Sequence, residues 1–403
     1  MNVGIVTTWF ERGAAYVSKI FEDVLSNKSD INVYIYARGG EEYGIGNPIW
    51  DRENVYWGKR IISPFSSTVI HKKDFIFWVQ SQKIEVIIFN EQHWFQPLLW
   101  CKELGIKTIA YIDYYTEETI PLFEIYDCVI CNTNRHYTAF RNHNNVAYLP
   151  WGTFTNVFKA TNQNLVNDNY VTFFHSCGWD TYRKGTDLLL KAYKNTINNS
   201  KLIIHTQNDI KDLELLNIIE ELKKKNRIEI ITKTVHAPGL FHLGDVYVYP
   251  SRLEGIGLTI AESISSGLAV VVPNAAPMNE FAYKENSRLI EVDKFFSRSD
   301  GYYWPMNEIK IENLTQILDE LAAVPDSVRE MKLASRNIAE KFLDVEKNFQ
   351  ILPDIIRNVK FNKSTETIIQ KINNYDNKGF RRFHGLYLTL YPLFNTLRKF
   401  LKQ

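Results

Sequence analysis

The residues whose types and spacing could do chemistry lie within GDVYVYPSRLEGIGLTIAESISSGLAVVVPNAAPMNE, residues 244–280. Glu254 and Glu262 stand there with seven residues between them, and Gly255, Ile256, Gly257 and Leu258 follow the first. Two glycines let a backbone come close to a ligand. Where such a loop opens a helix, the N–H groups of the first turn favour an anion, and a diphosphate fits. About one turn inside that helix, the two acceptor oxygens of Glu262 suit a vicinal diol such as a ribose. Glu254, in the loop, can accept from the hydroxyls of whatever is joined to the far phosphate. The stretch therefore offers three contacts in a row, to a sugar-like group, to phosphates and to a ribose.

The elements that must position these groups are legible around them. Residues 245–249 are an apolar, β-branched and aromatic run of buried-strand type, ended by Pro250-Ser251. Residues 258–266 are helical in pattern, Gly267 stops them, and 269–272 make another strand. A strand–loop–helix–strand unit of this kind places its helix N-terminus above the carboxyl ends of a parallel sheet, where α/β proteins bind ligands.

The segment PSRLEGIGLTIAE resembles the Glu-x7-Glu signature of retaining glycosyltransferases of the GT-B fold, especially glycosyltransferase family 4. By that resemblance Glu254 holds the donor sugar, Glu262 holds the ribose of the sugar nucleotide, and Gly255, Ile256, Gly257 and Leu258 line the donor. In SCGWDTYRKGTDLLLKAY, residues 176–193, the Lys-Gly pair that binds the donor diphosphate falls on Lys184 and Gly185. The arginine expected earlier is replaced by Trp179, and Arg183 stands in for it. Two cations beside a helix N-terminus can neutralise a leaving nucleoside diphosphate without a metal. The resemblance also assigns Gly178 to the donor site and brings the loop at Val235 and His236 to the nucleobase. It implies front-face attack with retention, the leaving phosphate taking the acceptor's proton.

The same resemblance implies two doubly wound Rossmann-like α/β domains facing a cleft. Alternating strand and helix patterns agree, with strands expected at 2–7, 32–37, 86–89, 108–112, 128–132, 146–149, 170–175, 202–205 and 228–231. The expected division is an acceptor-side domain over 1–152, a donor domain over 153–327, a C-terminal helix crossing back over 328–360, and a tail over 361–403. LPWGTFTNVF, residues 149–158, resembles the family's linker, with Gly152 as a hinge.

In the first half, Trp9, Arg12 and Gly13 occupy the loop after the first strand, and helical periodicity follows over 14–25. Glu91 and His93 follow the strand ending at Phe89, and Asp113 follows the strand ending at Ile112; all three fall at carboxyl ends of strands. The family commonly carries a histidine where this chain has Asp113. Asp113 is expected near the donor sugar or the acceptor, with Glu91, His93, Trp9 and Arg12 as acceptor-side candidates. Residues 38–55, rich in glycine, read as a long loop.

Composition narrows the function classes. The 403 residues carry a formal net charge of +1, which argues against a broad nucleic-acid surface. Four cysteines imply no disulfide framework, and Cys128 and Cys131 lie in an apolar strand without a second pair to complete a zinc site. No Asp-x-Asp metal pair accompanies the donor motif, so neither metal nor cofactor is expected. The first residues, MNVGIVTTWFER, are a strand running into charges rather than a signal peptide, and no stretch is long and apolar enough to span a membrane. A cytoplasmic protein is expected.

Residues 378–403 depart from this balance, with six lysines and arginines, no acidic residue, and apolar residues interleaved on a helical period broken at Pro392. Basic amphipathic segments of this kind lie on anionic membrane surfaces or pack on the protein itself. The expected partners are a nucleotide-sugar donor and a glycan or lipid-linked acceptor, with the tail at the inner face of the cell membrane. Surface polysaccharide or glycoconjugate assembly is the expected role. A sugar-nucleotide epimerase or phosphorylase on the same fold, or a sugar-binding protein without turnover, remain alternatives.

Overall fold

The structure is a computed structural model that describes the chain apart from residues 39–43, 67, 113, 160–169, 198, 364–365 and 401–403, with the backbone alone over 394–400. Alternation of apolar strand and amphipathic helix builds its first sheet from β1 (Asn2–Thr7), α1 (Gly13–Ser26), β2 (Asn32–Ala37), β3 (Val55–Trp57), α2 (Lys72–Ser81), β4 (Val86–Asn90), α3 (Gln96–Leu104), β5 (Lys107–Tyr111), β6 (Cys128–Cys131), α4 (Asn134–Phe140) and β7 (Val146–Tyr148). The seven strands run in the order β3-β2-β1-β4-β5-β6-β7, all parallel. β4 shows why: VIIFN is buried at all five positions, as a strand covered on both faces requires.

The second sheet follows from β8 (Val171–Gly178), α5 (Thr186–Lys194), β9 (Ser200–Thr206), α6 (Leu213–Lys224), β10 (Ile228–Thr232), β11 (Val246–Val248), α7 (Leu258–Ser265), β12 (Ala269–Pro273) and β13 (Ser287–Ile290). Its order is β10-β9-β8-β11-β12-β13, again wholly parallel. α6 explains its own placement: Asp212 caps it by accepting from Leu215 N at 3.0 Å, and Leu215, Ile218, Ile219 and Leu222 form the buried stripe. Each such side chain contributes about 1.5–3 kcal/mol on burial.

An antiparallel hairpin, β14 (Val292–Phe296) with β15 (Met306–Ile309), was not legible in the sequence pattern. The chain continues through α8 (Ile311–Ala323), α9 (Pro325–Phe342), α10 (Val345–Asn348) and α11 (Leu352–Asn358). The C-terminal helix expected over 328–360 is not continuous, because α9 stops at Phe342 and Asp344 pairs with Thr153 before capping α10. Gly152 has a packing reason here, since a Cβ on it would stand 2.5 Å from Leu343 O. α12 (Glu366–Asp376) and α13 (His384–Phe400) complete the chain. Pro392 lies inside α13 and does not end it as the sequence pattern suggests.

Of the expected loop over 38–55, residues 39–43 lie outside the described residues; the remainder turns onto a buried Trp50 and leads to β3. All four cysteines are free and buried. The chain forms two compact units, one of Met1–Cys131, His136–Leu149 and Gln350–Gln403, the other of Asn132–Arg135 and Pro150–Phe349.

Candidate active site

In the second unit the strand order reverses between β8 and β11, the switch point at which doubly wound sheets leave a crevice beyond their carboxyl ends. The loops after these two strands carry Arg183, Lys184, Tyr249, Ser251 and Glu254. Gly185, with φ +69°, is the N-cap residue just before α5, so the Lys-Gly pair ends a loop and leads into a helix. Gly257, with φ +95°, does the same for α7.

Glu254 is the centre of the cluster. Its Oε1 accepts from Lys184 Nζ at 2.7 Å, Ser251 Oγ at 2.6 Å and Tyr249 OH at 2.9 Å, with Arg183 Nη1 at 3.4 Å. Lys184 Nζ also donates to Tyr249 OH, and Arg183 Nη1 donates to Leu253 O at 3.0 Å. Burial alone would raise the Glu254 carboxyl, but the Lys184 and Arg183 charges outweigh it and hold the group down at about 2. Burial pulls the Lys184 ammonium below its usual range, and Glu254 resists that shift. The result is an ionised pair with hydrogen-bonded surroundings and an open cationic edge, since the Arg183 side chain is 36% exposed.

Glu262 behaves oppositely. It lies on α7, half-buried, and its carboxylate takes no hydrogen bond or ion pair from any described residue. Burial pushes its carboxyl up to about 7, with only Lys184 pulling against it. No side chain caps α7; Ile260 N donates to Gly257 O at 2.9 Å, while the N–H groups of Leu258 and Thr259 meet no acceptor among the described residues and remain available to an anion. The two glutamates thus have opposed environments: Glu254 has one oxygen held by four donors, and Glu262 meets no donor among the described residues.

Residues remote in sequence hold this geometry. Arg252, 2% exposed, pairs with Asp187 at 2.7 Å and Glu308 at 3.0 Å, and its guanidinium lies 4.0 Å from the Tyr182 ring centroid. Arg135 donates to Ala276 O at 2.8 Å and to the backbone oxygen of Glu254. His175 in β8 spans Val248 O at 2.8 Å and Thr186 Oγ1 at 2.9 Å, and burial lowers its imidazole to about 4, keeping it neutral. Sequence reading missed Tyr249, Ser251, Arg252, Arg135 and His175. Tyr249, Ser251 and Arg252 lay inside the motif already singled out; nothing local marks the other two.

The other donor-side residues fall around the same sheet. Gly178 ends β8 with φ +55°, Ile256 is buried, and Leu258 begins α7. Val235 is half-buried and His236 exposed in the loop after β10.

Of the first-unit candidates, Asp113 lies outside the described residues. Trp9 is fully buried, its indole N–H donating to Trp50 O at 2.7 Å, so its bulk serves packing. Arg12 and Gly13 are exposed at the start of α1. Glu91 holds φ +53° beyond β4, and burial raises its carboxyl against the pull of Arg38. His93 packs edge-on to Tyr114 at 5.3 Å, and burial, aided by Arg38, lowers its imidazole to about 4. The structure therefore brings Arg183, Lys184 and Glu254 together in one unit and places Glu91 and His93 in the other. Among the described residues no cluster of metal-ligating side chains occurs, and no helix is long and apolar enough to cross a membrane.

Residues 169–297 match the family model of glycosyl transferases group 1. The chain is 31% identical over 125 residues to the O-antigen biosynthesis glycosyltransferase WclY of Escherichia coli, covering 29% of this chain and 35% of that protein. It thus spans little more than a third of that curated relative. Its fold is similar to that of sucrose-phosphate synthase from Thermosynechococcus elongatus, at 14% identity and TM-score 0.66 over 89% of this chain and 98% of that one. It is equally similar to Anabaena HepE, solved in complex with UDP and glucose, at 15% identity and TM-score 0.65 over 89% and 99%. The chain therefore has the two parallel-sheet α/β domains of GT-B glycosyltransferases, and the segment that carries Lys184, Glu254 and Glu262 matches glycosyl transferases group 1.

Proposed function

We propose that the protein transfers a sugar from a nucleoside-diphosphate sugar to a hydroxyl acceptor with retention of anomeric configuration. The observation that carries this reading is Glu254, an ionised carboxylate held by Lys184, Ser251 and Tyr249 beside the uncapped N-terminus of α7. Its remaining oxygen accepts from the donor sugar's hydroxyls. Arg183, Lys184 and the α7 N–H groups take the diphosphate, and Glu262 accepts from the ribose diol. HepE's complex with UDP and glucose supports a nucleotide sugar as donor.

In this reading the bond from the anomeric carbon to the phosphate oxygen breaks, and the leaving phosphate keeps the electron pair. The acceptor oxygen forms its bond on the same face, and its proton passes to a leaving-phosphate oxygen. Arg183 and Lys184 stabilise the charge that develops, so the reading assigns no divalent metal to the step. The matched O-antigen enzyme supports a role in surface polysaccharide assembly.

The test is thermal unfolding of the full chain in EDTA against a panel of nucleoside diphosphates and their sugar conjugates, beside Glu262→Ala. A ligand at about 100 times its Kd adds roughly 2.7 kcal/mol, a visible shift. One base family should stabilise the wild type and not the variant. Product from that donor should carry the donor's anomeric configuration by NMR. No stabilisation by any nucleotide would overturn the reading.

A further inference from the structure

In the unit formed by Met1–Cys131, His136–Leu149 and Gln350–Gln403, a cavity of about 950 Å³ opens where the N-terminus of α2 and one end of α3 meet the start of α13. Among the described residues its lining carries Lys59, Arg60, Lys72, Lys73, Arg381 and Arg382 against one carboxylate, Asp376. Ile70, Trp94, Trp100, Leu388 and Tyr391 supply an apolar wall, with Trp94 and Trp100 braced edge to face at 5.5 Å.

The charge of Lys59, Lys72, Lys73, Arg381 and Arg382 is poorly neutralised by the described residues. Lys72 and Lys73 open α2, the end where the helix dipole is already positive and acids are favoured. Asp74, the acid of that turn, is buried and committed: it accepts from Tyr36 OH, Tyr56 OH and Lys59 N, each at 3.0 Å. Asp376 accepts from Gln96 Nε2 at 2.7 Å. Among the described residues the ion pairs that reach Lys59, Lys72 and Arg381 are long, with Lys72–Glu103 and Lys59–Asp74 both at 3.8 Å and Arg381–Glu118 at 3.5 Å. Lys59 and Lys72 are largely exposed, where such pairs contribute little. Lys73 and Arg382 form no ion pair with any described residue.

The helix bearing Leu388 and Tyr391 is docked onto its own unit. Tyr387 OH donates to Ile62 O at 2.5 Å, Ile62 N donates to Tyr391 OH at 3.2 Å, and His384 Nε2 meets Ser63 Oγ at 3.1 Å. Even so, Phe380, Leu386 and Leu393 remain 61–83% exposed beside the cations. A second cavity of about 410 Å³ shares Trp94, Asp376, Arg381 and His384 with the first and reaches His93.

A ligand matching both features carries concentrated negative charge at one end and hydrocarbon at the other. We propose that this cavity binds the phosphate-bearing end of an amphiphile, the phosphate on Lys72, Lys73, Arg381 and Arg382 and the first carbons of its chain along Ile70, Trp100 and Leu388. None of these groups belongs to the unit that carries Lys184 and Glu254, and the inference does not rest on the transferase reading.

The experiment titrates the full chain with monomeric dodecyl phosphate, following tryptophan fluorescence and calorimetry, beside inorganic phosphate, neutral dodecyl maltoside, and vesicles of phosphatidylglycerol with phosphatidylcholine. The variant is Lys73→Glu with Arg382→Glu, both exposed positions. Dodecyl phosphate should bind saturably, one per chain, and at least about ten-fold more weakly to the variant, while the two control solutes bind much less well. Equal affinity in wild type and variant overturns the proposal. Inorganic phosphate binding as tightly as dodecyl phosphate reduces the cavity to an anion site and overturns it too. Binding to vesicles without binding to monomeric dodecyl phosphate assigns the surface to a membrane and rejects an occupied cavity. Nucleoside-diphosphate stabilisation, measured on the same variant, should be unchanged, which separates failure here from failure of the transferase reading.

Discussion

Gly185 and Pro250 approach so closely that a Cβ on Gly185 would stand 2.0 Å from the Pro250 carbonyl oxygen. That contact presses the loop after β8 against the loop after β11. It also gives a reason why Lys184 is followed by glycine: the pair sets an ammonium 2.7 Å from Glu254 only if the next residue has neither side chain nor a right-handed φ.

Gly185→Ala should therefore both destabilise the second unit and separate Lys184 from Glu254. The left-handed φ alone costs about 1–2 kcal/mol, and the overlap with Pro250 adds to it. Gly105→Ala, in the other unit, is the control: its φ is +70°, but nothing stands within 4 Å of a new Cβ. Denaturant unfolding should show the larger loss for Gly185→Ala, and nucleotide stabilisation should disappear in that variant only. Equal losses would mean that the approach to Pro250 carries no weight.

Lys184→Ala and Glu254→Ala should each lower turnover by about 2–4 kcal/mol of transition-state stabilisation. Because the two side chains bond each other, the double variant should fall little below the worse single one. Steady-state rates from a sugar-nucleotide donor give the comparison, and wild-type-like turnover in either single variant would remove that residue from the site.

Glu262 should make stability depend on pH in an unusual direction. Its carboxyl sits at about 7 in the folded chain against an ordinary 4.5, so between those values the folded state binds more protons than the unfolded one. Stability from this group is present at low pH and lost as pH rises from about 4.5 to 7. Glu262→Gln should match wild type near pH 4 and exceed it by about 1–3 kcal/mol near pH 8. Nucleoside-diphosphate affinity should rise from pH 6 to 8 in wild type, as the carboxylate becomes the better acceptor, and stay flat in the variant. Urea unfolding at the two pH values decides the first point, and a pH-independent difference would dismiss it.

Arg252→Met should cost about 2–4 kcal/mol, because it strands Asp187 and Glu308 without their shared cation. Adding Asp187→Asn and Glu308→Gln should recover part of the loss. No recovery in the triple variant would assign the cost to packing, including the stack on Tyr182, rather than to charge.

Periodicity, glycine and proline positions determined the alternating elements and both parallel sheets, since each strand and helix encodes its own buried face. The pattern 86–89 became β4 and 258–266 became α7 with ends moved by a single residue. β14 and β15 escaped because neither VDKFF nor MNEI alternates apolar with polar residues: β14 exposes Asp293, Lys294 and Phe295, and β15 buries the polar Asn307. The Glu-x7-Glu spacing and the Lys-Gly pair were likewise visible, being local.

Other features belong to the tertiary structure. Arg135 reaches the backbone of Glu254 from 119 residues away, and Arg252 joins Asp187 to Glu308 across 65 and 56 residues. α13 rests on Ile62 and Ser63 more than 300 residues upstream, a docking that its own amphipathic pattern leaves open. The sharpest case is the motif itself. By sequence Glu254 and Glu262 are two like carboxylates, yet folding surrounds one with Lys184, Arg183, Ser251 and Tyr249 and leaves the other desolvated and unpaired. Charge state follows from every neighbour within a few ångströms, and those neighbours are assembled only when distant segments pack.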